Sequence, residues 1–238
     1  EGFADMSAGL FAQMVEKNPK KFIEFWNEER ELLLDHDKEG YRGIDLPVTV
    51  GYRAANSRSG LNLPRFLIYP KGAYILHMVR MMMWNNKTGD QDFKKTMQDF
   101  VSFYSGKAAT TEDFKAMLEK HMTPEMVAMA GNKNSMDWFF DEYVYGTALP
   151  TYKLDYSFAD AGPGKITFDF KLTQSGVDDN FRMMVPIYFE FANGRVIQLG
   201  RVRMTGNTTV SQQLPLPMTE KPKQALLNYF DDVLASPN

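Results

Sequence analysis

Apolar residues open the chain at a helical spacing. Phe3, Met6, Leu10, Phe11 and Met14 recur at the three-and-four interval that gathers them on one face. Asn18-Pro19 reads as an N-cap followed by proline at the first helical position, and Phe22, Phe25, Trp26 and Leu33 predict one face of the helix that follows. From Gly40 to Pro64 the pattern dissolves into Gly, Pro, Ser and Asn around "LPVTVGY", which predicts a loop with at most a short strand. Helical order returns after Pro70 with the stripe Ile75, Leu76, Val79, Met82 and Met83. Asp90 or a neighbour starts the next helix, with Phe93, Met97, Phe100, Val101 and Tyr104 on one face. Thr110 and Asp113 form a capping box ahead of Phe114, Met117 and Leu118. Ser135 opens a last helix, "MDWFFDEYVY", which Gly146 is placed to end. No heptad persists, so these helices pack as an array rather than a coiled coil.

At Pro150 the period changes from 3.6 to 2. Tyr152, Leu154, Tyr156 and Phe158 alternate with polar residues, as do Ile166, Phe168, Phe170 and Leu172. Val185, Ile187, Phe189 and Phe191 run into Asn193-Gly194, a tight-hairpin signal, and the chain returns from Arg195 to Met204. Residues 224–235, "QALLNYFDDVLA", fit a helix by spacing, but the preceding Pro222 and the need to finish a sheet favour a strand and then a turn. The expected fold class is α+β in two domains, all-helical over 1–150 and all-β over 151–238, the second a small β-sandwich.

Composition narrows the chemistry mainly by exclusion. With 44% hydrophobic and 24% charged residues, the chain has the make-up of a globular protein with a sizeable core. A net charge of −3 and no Lys/Arg stripe argue against nucleic acid, and "YILHMVRMMMW" is too short and too charged to span a membrane. The absence of cysteine removes disulfides, thiolate metal sites and thiol nucleophiles. His36, His77 and His121 stand far apart and form no histidine pair of metal-binding spacing. The sixteen methionines fall mostly on apolar helix faces and read as core filling. No targeting signal is visible, so periplasmic, secreted and cytoplasmic locations are all compatible.

Four stretches in order carry a resemblance. "EGFADMSAGL", "IYPKGAYILHMVRMMM", "SGKAATTEDFKAMLEKH" and "MDWFFDEYVYGTALPTYKLDY" resemble segments of the zinc aminopeptidases related to membrane alanyl aminopeptidase and leukotriene hydrolase, a gluzincin family. The resemblance covers the helical half and the start of the β half. It implies that residues 1–150 are the helical second half of a thermolysin-like catalytic domain and that a β-sandwich follows. It further implies zinc as cofactor and peptides with a free N-terminus as substrates. Glu1 takes the place of the family's third zinc ligand and Tyr69 the place of the tyrosine whose hydroxyl donates to the oxyanion.

The chain departs from the family in four places. The His-Glu-x-x-His motif, which supplies the other two ligands and the general base, is absent, as is the Gly-x-Met-Glu-Asn element that binds the substrate's amine. Pro70 stands where a glutamate is usual, and Ala148 where a glycine is common. The expectation is therefore a chain that begins just after the zinc histidines and is inactive on its own. A cut there would leave an exposed apolar face, open to self-association. The alternative is a non-catalytic, peptidase-like module that uses its sandwich to bind a partner. Without the resemblance, Glu1 reads as an exposed acid favourable to its helix dipole and Tyr69 as a core or cap tyrosine. Lys71 and Gly72 read as residues of helix start and close packing. His77 reads as a satisfied, partly buried histidine, and Asp141 and Glu142 as a solvated helix face.

Overall fold

The computed structural model describes residues 1–16, 18–36, 40, 42–50 and 67–237. The chain divides into two compact units, Glu1–Ala148 and Leu149–Asn238. The first contains helices and the second antiparallel sheets, an α+β composition. Among the described residues no helix is long and apolar enough to cross a membrane.

In the first unit, α1 (Gly2–Phe11) widens into a π-helix over Ala12–Glu16, and α2 covers Pro19–Leu34. Asn18 caps α2 as its spacing predicts, its side-chain oxygen accepting from Lys20 N at 3.0 Å. Short 3₁₀ turns occupy Gly43–Asp45 and Val48–Val50. The second replaces the start of the short strand allowed for "LPVTVGY": Val50 N donates to Pro47 O at 3.2 Å and closes a turn. Residues 51–64 of that loop lie outside the described residues.

A π-turn over Leu67–Lys71 leads into α3 (Gly72–Met83), followed by α4 (Gln91–Tyr104), α5 (Thr111–Lys120) and α6 (Pro124–Met129). The Thr110–Asp113 capping box is formed, with Asp113 N donating to Thr110 Oγ1 at 3.2 Å and Thr110 N to Asp113 Oδ2 at 2.8 Å. Thr123 and Pro124 start α6 by the same logic, a signal the spacing argument passed over. Ser135 accepts from Asp137 N, but the final helix is only α7 (Asp137–Phe139) before it widens into a π-helix over Phe140–Val144. Gly146 does close it. A Cβ there would lie 2.4 Å from Asp141 O, so only glycine fits.

The core of this unit is α3. Every residue from Ala73 to Met83 is buried, so its apolar stripe is one part of a helix enclosed all round. Enclosure takes polar groups with it. The His77 ring is fully buried and stacked on Trp26 at 3.9 Å, further inside than its expected place beside the stripe. Arg80 Nε and Nη2 donate to Asp90 Oδ2 at 2.9 and 2.7 Å, and Lys94 Nζ lies 2.9 Å from the other oxygen. Apolar side chains also remain outside: Phe11, Met14, Val15, Val101 and Phe103 are all exposed, Phe11 by 64%.

The second unit holds β1 (Thr151–Asp160), β2 (Ile166–Ser175), β3 (Arg182–Glu190), β4 (Val196–Thr205), β5 (Thr208–Leu216) and β6 (Gln224–Leu227). They form two three-stranded antiparallel sheets ordered β1-β2-β5 and β4-β3-β6. Rings join the two sheets: Phe189 of β3 meets Phe158 at 5.3 Å and Phe168 at 4.9 Å. The Asn193-Gly194 turn joins β3 to β4, with Gly194 at φ +80°. After β6 the chain turns sharply at Asn228, whose side chain bonds both Val233 N and Val233 O. Residues 224–235 are thus a strand followed by a hooked turn.

Candidate functional site

Glu1 is exposed at the N-cap of α1, and its backbone oxygen accepts the first amides of that helix, from Ala4 at 2.8 Å and Asp5 at 3.2 Å. Tyr69 is half-buried in the π-turn ahead of α3. Two glycines bring these segments together. A Cβ on Gly2 would lie 2.6 Å from Gly72 C, and one on Gly72 would lie 3.0 Å from Gly2 Cα. Any larger residue at Gly2 would push α1 off the start of α3. The neighbour of Glu1 thus rests against the residue three positions after Tyr69, and two sites 68 positions apart in sequence occupy adjoining elements.

A cavity of about 380 Å³ opens at this junction. Glu1 stands on it with Phe3, Ile68, Ile75, Phe114 and Phe140. Phe3 and Phe114 meet edge to face at 5.4 Å, and Phe100 packs on both rings, which builds one aromatic wall. Among the described residues Glu1 is the sole charged group in the lining, which is otherwise mostly apolar. A second hollow, on the β1-β2-β5 sheet, is a trough of exposed polar side chains such as Asp155, Lys171 and Ser211, a solvated sheet surface.

Acidic groups continue from Glu1 along α1 into α2. Burial and then the charge of Glu1 push the Asp5 carboxyl up. Burial, then Asp5 and Glu28, push Glu29 up to about 7. Glu29 was not singled out by its sequence context, yet a signal was present. It stands at the third place of the series Phe22, Trp26, Glu29, Leu33, whose other members are buried. An acid in an apolar stripe marks a half-buried carboxylate.

Lys71 departs furthest from its sequence reading. Its side chain is fully buried, and its ammonium donates to Leu46 O at 2.7 Å and Gly146 O at 3.0 Å. Burial brings its pKa down to about 8, against a smaller opposing pull from Asp45. Gly72 packs closely, as its place at the helix start suggested.

Among the described residues no three His, Asp or Glu side chains are grouped to hold a metal ion. His77 is stacked within the core, and His121 Nε2 lies 3.1 Å from Asp99. Glu1 offers a single carboxylate, whereas a catalytic zinc takes three protein ligands. No protein-family model, curated protein or solved structure matches the chain.

Proposed function

We propose that this chain carries one part of a zinc aminopeptidase site, with Glu1 as a zinc ligand and Tyr69 as the oxyanion donor. One observation carries the reading: the backbone contact of Gly2 with Gly72 sets the start of α1 against the turn that bears Tyr69. A metal ligand and an oxyanion donor must serve one reacting carbonyl, so their elements have to adjoin. The helical unit is then the second half of a thermolysin-like domain. The two sheets, facing each other through Phe158, Phe168 and Phe189, are its β-sandwich.

The donor set within this chain is incomplete, because the two histidines of His-Glu-x-x-His are not in the sequence. Zinc, when held by all three ligands, activates the attacking water. This chain's own part is narrower. Glu1 supplies a carboxylate oxygen and neutralises part of the metal's charge. Tyr69 donates its hydroxyl proton in a hydrogen bond to the oxygen that becomes negative as the scissile carbonyl turns tetrahedral. That bond strengthens in the transition state, so its loss lowers kcat more than it raises KM.

The test uses the protein encoded by the complete reading frame. With an intact His-Glu-x-x-His shortly before Glu1, Tyr69→Phe lowers aminopeptidase kcat by roughly a hundredfold with little change in KM. An unchanged rate removes Tyr69 from the mechanism. Degenerate residues in place of that motif favour the other reading, a peptidase-like module without catalysis. The 238-residue chain alone has no zinc-dependent turnover under this proposal, and measurable turnover would sink it.

A further inference from the structure

We propose that Lys71 is a positioning residue, whose buried ammonium ties the turn carrying Tyr69 to the chain at Leu46 and at Gly146. The inference rests on the reading of Tyr69 as the oxyanion donor. Lys71 ends the π-turn Leu67–Lys71, two residues after Tyr69. Pro70 lies inside that turn, where the leading N–H groups of a helical segment have no partner within the helix, so the turn draws little on its own backbone ladder. The lysine side chain supplies ties at long range. Its acceptors are 25 and 75 residues away in sequence, at 2.7 and 3.0 Å.

Both acceptors are themselves held. Leu46 closes the 3₁₀ turn Gly43–Asp45, its N–H donating to Gly43 O. Gly146 follows the π-helix Phe140–Val144 at a position where any side chain would strike Asp141 O or Glu142 O. Each carbonyl sits at the C-terminal end of a helical turn, where the backbone dipoles leave partial negative charge. An ammonium bonds both at once; a methionine of similar length has no donor and bonds neither. Immediately after the same turn, Gly72 is seated on Gly2, the neighbour of Glu1. The segment Tyr69–Gly72 is thus fastened at two points.

Stability alone does not account for a cation in this place. A fully enclosed ammonium that donates to neutral carbonyls, with only a weaker pull from the Asp45 carboxylate, stays desolvated, and burial brings its pKa down to about 8. An apolar side chain of the same volume would fill the space without that cost. What it could not do is fix the turn in direction, and direction is what a hydrogen-bond donor to an oxyanion requires.

The chain has no cysteine, which permits a clean test. In the 238-residue chain labelled with ¹⁵N-lysine, the Lys71 Nζ protons should exchange at least about a hundredfold more slowly than those of exposed lysines. Exchange at the surface rate overturns the proposal without any variant. With 3-fluorotyrosine incorporated, Lys71→Cys should shift or split the Tyr69 fluorine resonance. Aminoethylation of that cysteine before refolding restores an ammonium and should return the signal. Met126→Ala, which empties a buried position in α6, should leave it in place. A Tyr69 signal equally insensitive to Lys71→Cys and to Met126→Ala overturns the clamp. In the protein with the complete zinc motif, Lys71→Met should lower kcat about tenfold or more while KM stays within about twofold. An unchanged kcat in Lys71→Met, where Tyr69→Phe is impaired, overturns the positioning role. If Tyr69→Phe is itself unimpaired, the oxyanion reading fails, and the fluorine and exchange results still decide whether the clamp exists.

Discussion

Asp90 in the helical unit and Asp232 in the β unit are both buried carboxylates, 6% and 3% exposed, yet their ionisation is pushed in opposite directions. At Asp90 burial raises the pKa, but the hydrogen bonds and charges of Lys94 and Arg80 more than offset it, and the group is held below the usual carboxylate range. Asp232 is met by neutral donors, Tyr188 Oη at 2.7 Å and the Phe230 amide at 3.4 Å, with Arg201 acting only as a weaker influence. Burial prevails there, and its pKa is pushed up to about 6. Lys71 is the mirror image, a cation among neutral carbonyls whose pKa comes down to about 8. The charge of the partner, rather than depth, decides which form of a buried group the fold prefers.

The strongest way to break this comparison is to remove a partner. Asp90→Ala leaves the Arg80 guanidinium buried without its carboxylate, at a cost of about 3–5 kcal/mol. All three tryptophans, Trp26, Trp84 and Trp138, lie in the helical unit, so urea unfolding followed by tryptophan fluorescence reads that loss. A loss within the surface range would show that Arg80 finds other partners.

Lys71 gives the next largest effect, in the alkaline range. Its folded pKa, about 8, lies below the unfolded value near 10.5, so the unfolded chain binds more protons between those pH values. Stability of the helical unit should therefore rise with pH across that window, by about 3 kcal/mol in full. Lys71→Met should abolish the rise, and a profile equally steep in the variant would assign it to another group.

Asp232 should act slightly less strongly and on the acid side. Its folded pKa, about 6, lies above the ordinary aspartate value of 3.8, so the folded form binds more protons in between. Stability of the β unit is then highest near pH 4 and falls by about 3 kcal/mol as pH rises through 6. Asp232→Asn should flatten that limb in near-UV dichroism, whose tyrosine bands include Tyr188, Tyr152 and Tyr156 of this unit. Asp90 contributes the reverse, stability that is lost as pH falls below the ordinary carboxylate range. Opposite acid limbs in the two units are the signature of the comparison, and parallel limbs would break it.

Buried charges are also where sequence reading reached its limit. Features written in a few neighbouring residues were legible: the Asn18-Pro19 and Thr110–Asp113 helix starts, the Asn193-Gly194 turn and the change of period at Pro150. Features that depend on distant partners were not. Nothing near Lys71 announces carbonyls at Leu46 and Gly146, and nothing near Asp232 announces Tyr188. β5 escaped notice because an edge strand reading "TTVSQQLPL" carries few apolar residues. β1 misled in the other direction. Its alternation suggests a buried face, but at the edge of the sheet Tyr152 is buried while Tyr156 stays 40% exposed. Glu1 and Tyr69 were named through resemblance, while their adjoining elements became visible only through the glycine contact.

The smallest effect belongs to an opposite-charge pair in the open. Arg195 Nη2 lies 2.9 Å from Glu220 Oε2, a distance much like that of the Arg80–Asp90 pair, with side chains 52% and 47% exposed. Water screens this pair, and holding two long side chains together costs entropy that nearly cancels the attraction. Glu220→Gln should change the stability of the β unit by no more than about 0.5 kcal/mol, and less at high salt. The same geometry thus separates two regimes. Where the pair is enclosed, removing a carboxylate strands a desolvated cation; where it is exposed, solvent takes the carboxylate's place. A loss at Glu220 comparable to that at Asp90 would mean that contact distance alone governs these pairs. Burial would then have to be dropped from the account of Asp232 and Lys71 as well.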